Sequence, residues 1–168
     1  MALYFPVPGY NGNYKVGMAQ FGWRRPGGRI HAACDLYAPL KSDVRAVDSS
    51  YIVESGNFYL GTQAIAIFHE GIGVIRYGEI LEIPEKFLKI NASVEAGEVV
   101  GKVGQVIKVS PMAHIELFDG SGTGSLTNRS GRVEYYNEGV QKNANYERRA
   151  DLMNPTALLD RLWAEGLK

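Results

Sequence analysis

Tyr51-Ile52-Val53, Phe58-Tyr59-Leu60, Ala64-Ile65-Ala66-Ile67-Phe68 and Val74-Ile75-Arg76-Tyr77 are short apolar runs, broken by Gly56-Asn57, Gly61 and Gly71. Each is too brief for a helix, and β-branched and aromatic residues suit a pleated sheet. The pattern extends both ways. Upstream stand Val44 and Ala46. Downstream, Val94-Glu95-Ala96-Gly97-Glu98-Val99-Val100-Gly101-Lys102-Val103-Gly104 reads as two short strands around a turn at Glu95-Ala96-Gly97. Val106-Ile107-Lys108-Val109 and Ala113-His114-Ile115-Glu116-Leu117-Phe118 follow. Strands this short and frequent predict an all-β fold: an antiparallel two-sheet sandwich with a groove, plus irregular loops and one C-terminal helix.

Outside this core the chain changes character. The first thirty residues are rich in Gly, Tyr and Arg, with Pro6, Pro8 and Pro26 as breakers, and read as loop with short extended pieces. Residues 119–150 read as a long polar excursion, the kind that borders a site or moves. Asn154-Pro155-Thr156 opens a helix over 154–167, with Asn154 as N-cap and Pro155 at the first position. Ala157, Leu158, Leu159, Leu162 and Trp163 give it an apolar stripe. The expected organisation is one domain over 1–168, with its core at about 5–118.

Composition narrows the function. Lys+Arg and Asp+Glu both number 18, so there is no electrostatic reason to expect nucleic acid or an anionic membrane as partner. One cysteine excludes an internal disulfide framework. No apolar stretch reaches the roughly 18 residues of a membrane span. The start, Met1-Ala2-Leu3-Tyr4-Phe5-Pro6, has no basic region and no long apolar region, so no secretory signal is expected. That leaves work in the cytoplasm or exit by a specialised route.

The candidates for chemistry are few. His31, His69 and His114 are the only histidines. If 31–35 is extended, His31 and Asp35 share a face, as do Met112, His114 and Glu116 on their strand. A zinc site that keeps one water takes about three nitrogen or oxygen ligands, which His31, Asp35 and His114 can supply. Spacing alone does not separate this from ordinary hydrogen-bonded histidines. His69 at a strand end reads mainly as structural, with a cleft wall as the alternative. Cys34 reads as buried packing.

The motifs around these residues occur in a telling order. They are Phe21-Gly22-Trp23-Arg24, His31-Ala32-Ala33-Cys34-Asp35-Leu36, Pro39-Leu40-Lys41-Ser42-Asp43-Val44-Arg45-Ala46, Ile67-Phe68-His69-Glu70-Gly71-Ile72-Gly73 and Met112-Ala113-His114-Ile115-Glu116. From about Phe5 to Phe118 the chain resembles the lysostaphin-like (LytM-type) zinc metallopeptidases of bacterial cell walls. Asp151-Leu152-Met153-Asn154-Pro155 resembles the close of those domains. The resemblance implies Zn2+ held by His31, Asp35 and His114, with peptidoglycan peptides as substrate. The zinc would polarise the scissile carbonyl and acidify its water.

Two positions depart from that family. Its Tyr-x-His is Tyr77-Gly78-Glu79 here, and the first His of its His-x-His is Met112. Met cannot carry a proton; Glu79 can, which makes it the expected general base. Met112 is expected to pack near the metal, Glu116 to orient a ligand, and Tyr77 and His69 to line the groove or back the site. Tyr77-Gly78-Glu79, Met112–Glu116 and the tail from Arg148 resemble a subset exported against rival cell walls. That implies action in the periplasm or wall of a target cell, with an immunity or neutralising protein. The rival reading is a cell-wall binding or regulatory domain that has lost catalysis. A lipoyl-type carrier needs an exposed lysine at a hairpin tip, and this sequence has no Met-Lys or Asp-Lys tip.

Overall fold

A computed structural model of the 168-residue chain describes residues 2–128 and 147–167. Most of the expected excursion, residues 129–146, lies outside them. Nine strands make up the described sheet: β1 Cys34–Tyr37, β2 Asp43–Arg45, β3 Ser50–Asn57, β4 Gln63–His69, β5 Gly73–Leu81, β6 Ser93–Val94, β7 Val99–Val103, β8 Met112–Phe118 and β9 Leu152–Met153. One helix, α1, spans Thr156–Glu165. No helix among the described residues is long and apolar enough to cross a membrane.

The all-β expectation holds, and every strand pairing is antiparallel. The two expected layers are hydrogen-bonded into one branched sheet. Its main path runs β1-β8-β5-β4-β3-β6, and β7 joins β5 while also pairing with β2. The branch point lies within β5. Residues Val74 to Gly78 pair with β8, whereas Ile80 and Leu81 pair with β7. Glu79 sits between the two partners with φ at +54°, a left-handed value uncommon outside glycine. Its carbonyl accepts from Gly104 N at 3.0 Å, which ties the branch together.

Three local expectations are corrected. The strands flanking Gly97 form no hairpin: β6 pairs with β3, and β7 with β2 and β5. Val106–Val109 is a turn closed by Val109 N to Val106 O, and leaves Ile107 86% exposed. Phe58-Tyr59-Leu60 is the loop between β3 and β4 rather than a strand.

Alternation along the strands builds the core. Cys34 and Leu36 of β1, Ile65 and Ile67 of β4, Ile75 and Tyr77 of β5, and Ala113, Ile115 and Leu117 of β8 join one apolar cluster. Phe5, Val7 and Tyr14 from the N-terminal segment and Leu159 and Leu162 from α1 cover it. Full burial of each Val, Leu, Ile or Phe among them stabilises by about 1.5–3 kcal/mol. The helix is shorter than 154–167 because Gly166 leaves helical geometry. Its start agrees with the sequence. Asn154 Oδ1 accepts from Thr156 N at 3.0 Å, and Pro155 already has helical dihedrals. Leu3 and Phe5 hydrogen-bond Leu167, fastening the two ends of the chain together.

Candidate metal centre

The opposite face of β8 carries Met112, His114, Glu116 and Phe118, all buried. Antiparallel register sets Asp35 of β1 directly across from His114, and Arg76 of β5 across from Glu116. Directly opposed residues hold their Cβ atoms about 4.5–5.5 Å apart, so pairing alone brings carboxylate and imidazole together. His31 comes from the loop before β1 rather than from the strand itself. Gly22 N donates to His31 O, and His31 N donates to Trp23 O, each at 2.8 Å. These bonds fasten that loop and aim the ring at Asp35.

Three atoms then converge. His31 Nε2 and His114 Nδ1 each lie 3.1 Å from Asp35 Oδ1, and 3.4 Å from one another. The outer nitrogens define what the inner ones can do. His31 Nδ1 lies 2.8 Å from the Gln20 carbonyl and must donate to it. His114 Nε2 lies 2.9 Å from Glu116 Oε1 and must donate to that carboxylate. With both rings neutral, Nε2 of His31, Nδ1 of His114 and Oδ1 of Asp35 all present lone pairs to one spot. Three converging acceptors call for a cation, and two nitrogens plus one oxygen suit zinc. The two outer hydrogen bonds are the kind that orient metal-ligating histidines.

Without a metal the same convergence favours a proton on His114 in place of the cation. Burial would raise the Asp35 carboxyl, but its close polar contacts with His114 and His31 bring it down to about 2. Burial would lower His114, but its bonds to Asp35 and Glu116 push it up to about 9. Glu116 is fully buried and still held well below the usual carboxylate range. Burial opposes this; the charges of Arg148 and Arg76 and the His114 hydrogen bond outweigh it. Arg25 approaches the far oxygen of Asp35, with Nη2 3.7 Å from Oδ2.

Glu79 stands next to this group. Burial raises its carboxyl above the ordinary glutamate value, while the charges of His114, Asp35, Arg25 and Glu116 all bear on it. A carboxylate raised in this way is a better proton acceptor near neutral pH. Met112 is buried, on the same face as His114 and opposite Tyr37. His69 and Tyr77 sit elsewhere. Tyr77 is one residue out of phase with Arg76 and Gly78, so it enters the apolar core. Its hydroxyl accepts from Val47 N and lies 3.3 Å from His69 Nε2. Burial lowers His69 to about 4, leaving it neutral. Neither residue lines the site.

Several residues of this face escaped the sequence reading. Phe58 packs on His114 with ring centroids 5.6 Å apart, and the Arg76 guanidinium lies 5.0 Å over the same ring. Gly78, opposite His114, makes room for it: a Cβ there would meet Phe58 at 2.6 Å. Beyond Phe58 a cavity of about 210 Å³ opens, lined by Glu54, Ser55, Gly56, Asn57, Ala64 and Ser125. Arg76 and Arg148 both grip Glu116. Only the glycine in Tyr77-Gly78-Glu79 hinted at a close approach.

No protein-family model and no curated protein matches the sequence. Solved structures do. The catalytic domain of the antimicrobial peptidase lysostaphin from Staphylococcus simulans is 20% identical, with a TM-score of 0.58 over 90% of this chain and 92% of that one. A variant of the catalytic domain of the prophage-encoded M23 protein EnpA from Enterococcus faecalis is 27% identical, with a TM-score of 0.51 over 71% and 88%. A zinc-containing peptidase from Vibrio cholerae is 21% identical, with a TM-score of 0.55 over 69% of this chain but only 36% of its own length. The chain thus spans about a third of the Vibrio protein and nearly all of the lysostaphin catalytic domain. It has the LytM-type fold of the lysostaphin and M23 catalytic domains.

Proposed function

We propose that this chain is a zinc-dependent endopeptidase that hydrolyses peptide bonds of bacterial peptidoglycan. The observation that carries the reading is the convergence of three ligand atoms, from His31, Asp35 and His114, on a LytM-type fold beside the half-buried carboxyl of Glu79, whose pKa is raised.

His31 Nε2, Asp35 Oδ1 and His114 Nδ1 would hold the zinc. When bound, zinc would supply a Lewis acid that polarises the scissile carbonyl and lowers the pKa of water. Glu79 is the general base: its carboxylate takes a proton from the attacking water and returns it to the departing amine nitrogen. Glu116 accepts the Nε2–H of His114 and keeps that ring in the tautomer whose Nδ1 is free. Met112 has no proton to give and fills space beside His114.

The same reading extends to biological setting. Action in the wall or periplasm of a target cell, after specialised export and with a neutralising partner, rests on the resemblance of Tyr77-Gly78-Glu79, Met112–Glu116 and the tail from Arg148 to exported antibacterial effectors.

The test is direct. Purified protein is incubated with peptidoglycan fragments, with and without a chelator, and the products are identified by mass. The expected result is a new amine terminus that disappears with chelator and returns with zinc. A protein that binds zinc and fragments yet releases no product is instead an inactive wall-binding domain.

A further inference from the structure

Glu116 is held from three sides. Arg76 Nε and Nη2 both donate to Oε2, at 2.8 and 2.5 Å. Arg148 Nε donates to Oε1 at 2.8 Å, and His114 Nε2 donates to that same oxygen at 2.9 Å. Arg148 and Arg76 are themselves almost wholly buried. A buried guanidinium is costly to desolvate and is kept only with good geometry and full pairing. Planar side chains also set direction, not charge alone. The Arg76 fork takes Oε2, and Arg148 then leaves Oε1 one place to point, at the imidazole.

Arg148 reaches the site from a separate part of the chain. Thr127 and Arg148 form an antiparallel bridge, with Asn128 N on Glu147 O and Arg149 N on Leu126 O at 3.0 Å each. Thr127 also accepts from Arg76 Nη1 at 2.8 Å. This short ladder thus delivers Arg148 to Glu116 and Thr127 to Arg76, the other arginine on that carboxylate.

We propose that Arg148 is a positioning residue for the metal centre: it fixes Oε1 of Glu116 before His114 Nε2, and so couples the segment after residue 146 to zinc affinity. The proposal rests on the reading that His31, Asp35 and His114 hold zinc. Partners one shell out from a ligand commonly change metal affinity by about 10–100-fold when removed.

The experiment measures zinc affinity of the full chain by competition with a chromophoric chelator, alongside proton NMR of the His114 ring N–H in zinc-saturated protein. Arg148→Met is expected to weaken zinc by at least about 10-fold and to broaden or shift that resonance upfield. In a Glu116→Gln background the further effect of Arg148→Met should largely vanish, because the arginine acts through the carboxylate. A full effect in that background, or an Arg148→Met protein with wild-type affinity and resonance, overturns the proposal. Should Arg148→Met fail to fold, Arg148→Lys keeps the charge without the planar fork; wild-type values for it in both assays also overturn the proposal. A wild type that binds no zinc removes the metal reading itself, and the clamp with it.

Discussion

The two faces of β8 are buried alike and held differently. Ala113, Ile115 and Leu117 enter an apolar cluster closed by the N-terminal segment and α1. Their hold is non-directional, so a change there costs in proportion to volume lost. His114 and Glu116, between them, meet Asp35, His31, Arg76, Arg148 and Phe58 within fixed distances and angles. A polar network of that kind stands or falls with each partner. One strand of seven residues therefore builds the main core with its odd-numbered side chains and places His114 and Glu116, the chemical pair, on the other face.

The sharpest way to break this division is to change the reaction without the fold. Glu79→Gln should lower kcat by about 10²–10⁴-fold, with zinc content and thermal unfolding as in wild type. Unchanged turnover removes Glu79 from the mechanism. The apolar face should answer in the opposite sense. Ile115→Ala should destabilise by about 2–5 kcal/mol in denaturant unfolding, while the folded fraction keeps wild-type zinc affinity. Loss of zinc binding in stable Ile115→Ala protein would show that the faces are not separable.

Gly78→Ala probes the seam between them. The added methyl meets the Phe58 ring, which lies on His114. A cost of about 1–3 kcal/mol is expected from overpacking, with a several-fold fall in zinc affinity as Phe58 leaves the imidazole. Wild-type affinity would make Phe58 mere cover.

The smallest effect is a pH dependence with opposite signs. In zinc-free protein, His114 is pushed up to about 9 from 6.5. The stability from that shift is fully present below 6.5 and is lost as pH climbs through 9. Zinc requires the deprotonated ring, so stabilisation by zinc should grow over the same interval. Denaturant midpoints across it, with and without zinc, should converge at the low end and separate at the high end. Parallel curves would contradict the assignment of His114 as a ligand.

Much of this was legible in the chain because the informative signals were local. Strand alternation announced β3, β4, β5 and β8, and Asn154-Pro155 marked the helix start. His31, Asp35 and His114 stood out through their flanking motifs, and register brings the two strand members into opposition. What escaped was non-local. Nothing near Arg148 shows that it will meet Glu116, since that contact depends on a ladder between residues 126–128 and 147–149. Gly97 suggested a hairpin because a turn sequence says nothing of which strands its arms choose. Phe58 read as strand because an aromatic run looks alike in a sheet and folded over one. Glu79's left-handed backbone follows from a branch in the sheet that periodicity does not encode.

The chemistry of this face turns on one ion. Crystals of the protein grown with zinc, measured at the zinc absorption edge, test it most directly. The prediction is a single anomalous peak bonded to His31 Nε2, Asp35 Oδ1 and His114 Nδ1 at about 2.0–2.2 Å, with Glu116 still on the far nitrogen of His114. A zinc-saturated crystal whose peak lies elsewhere, or that leaves these three side chains hydrogen-bonded only to one another, would contradict it.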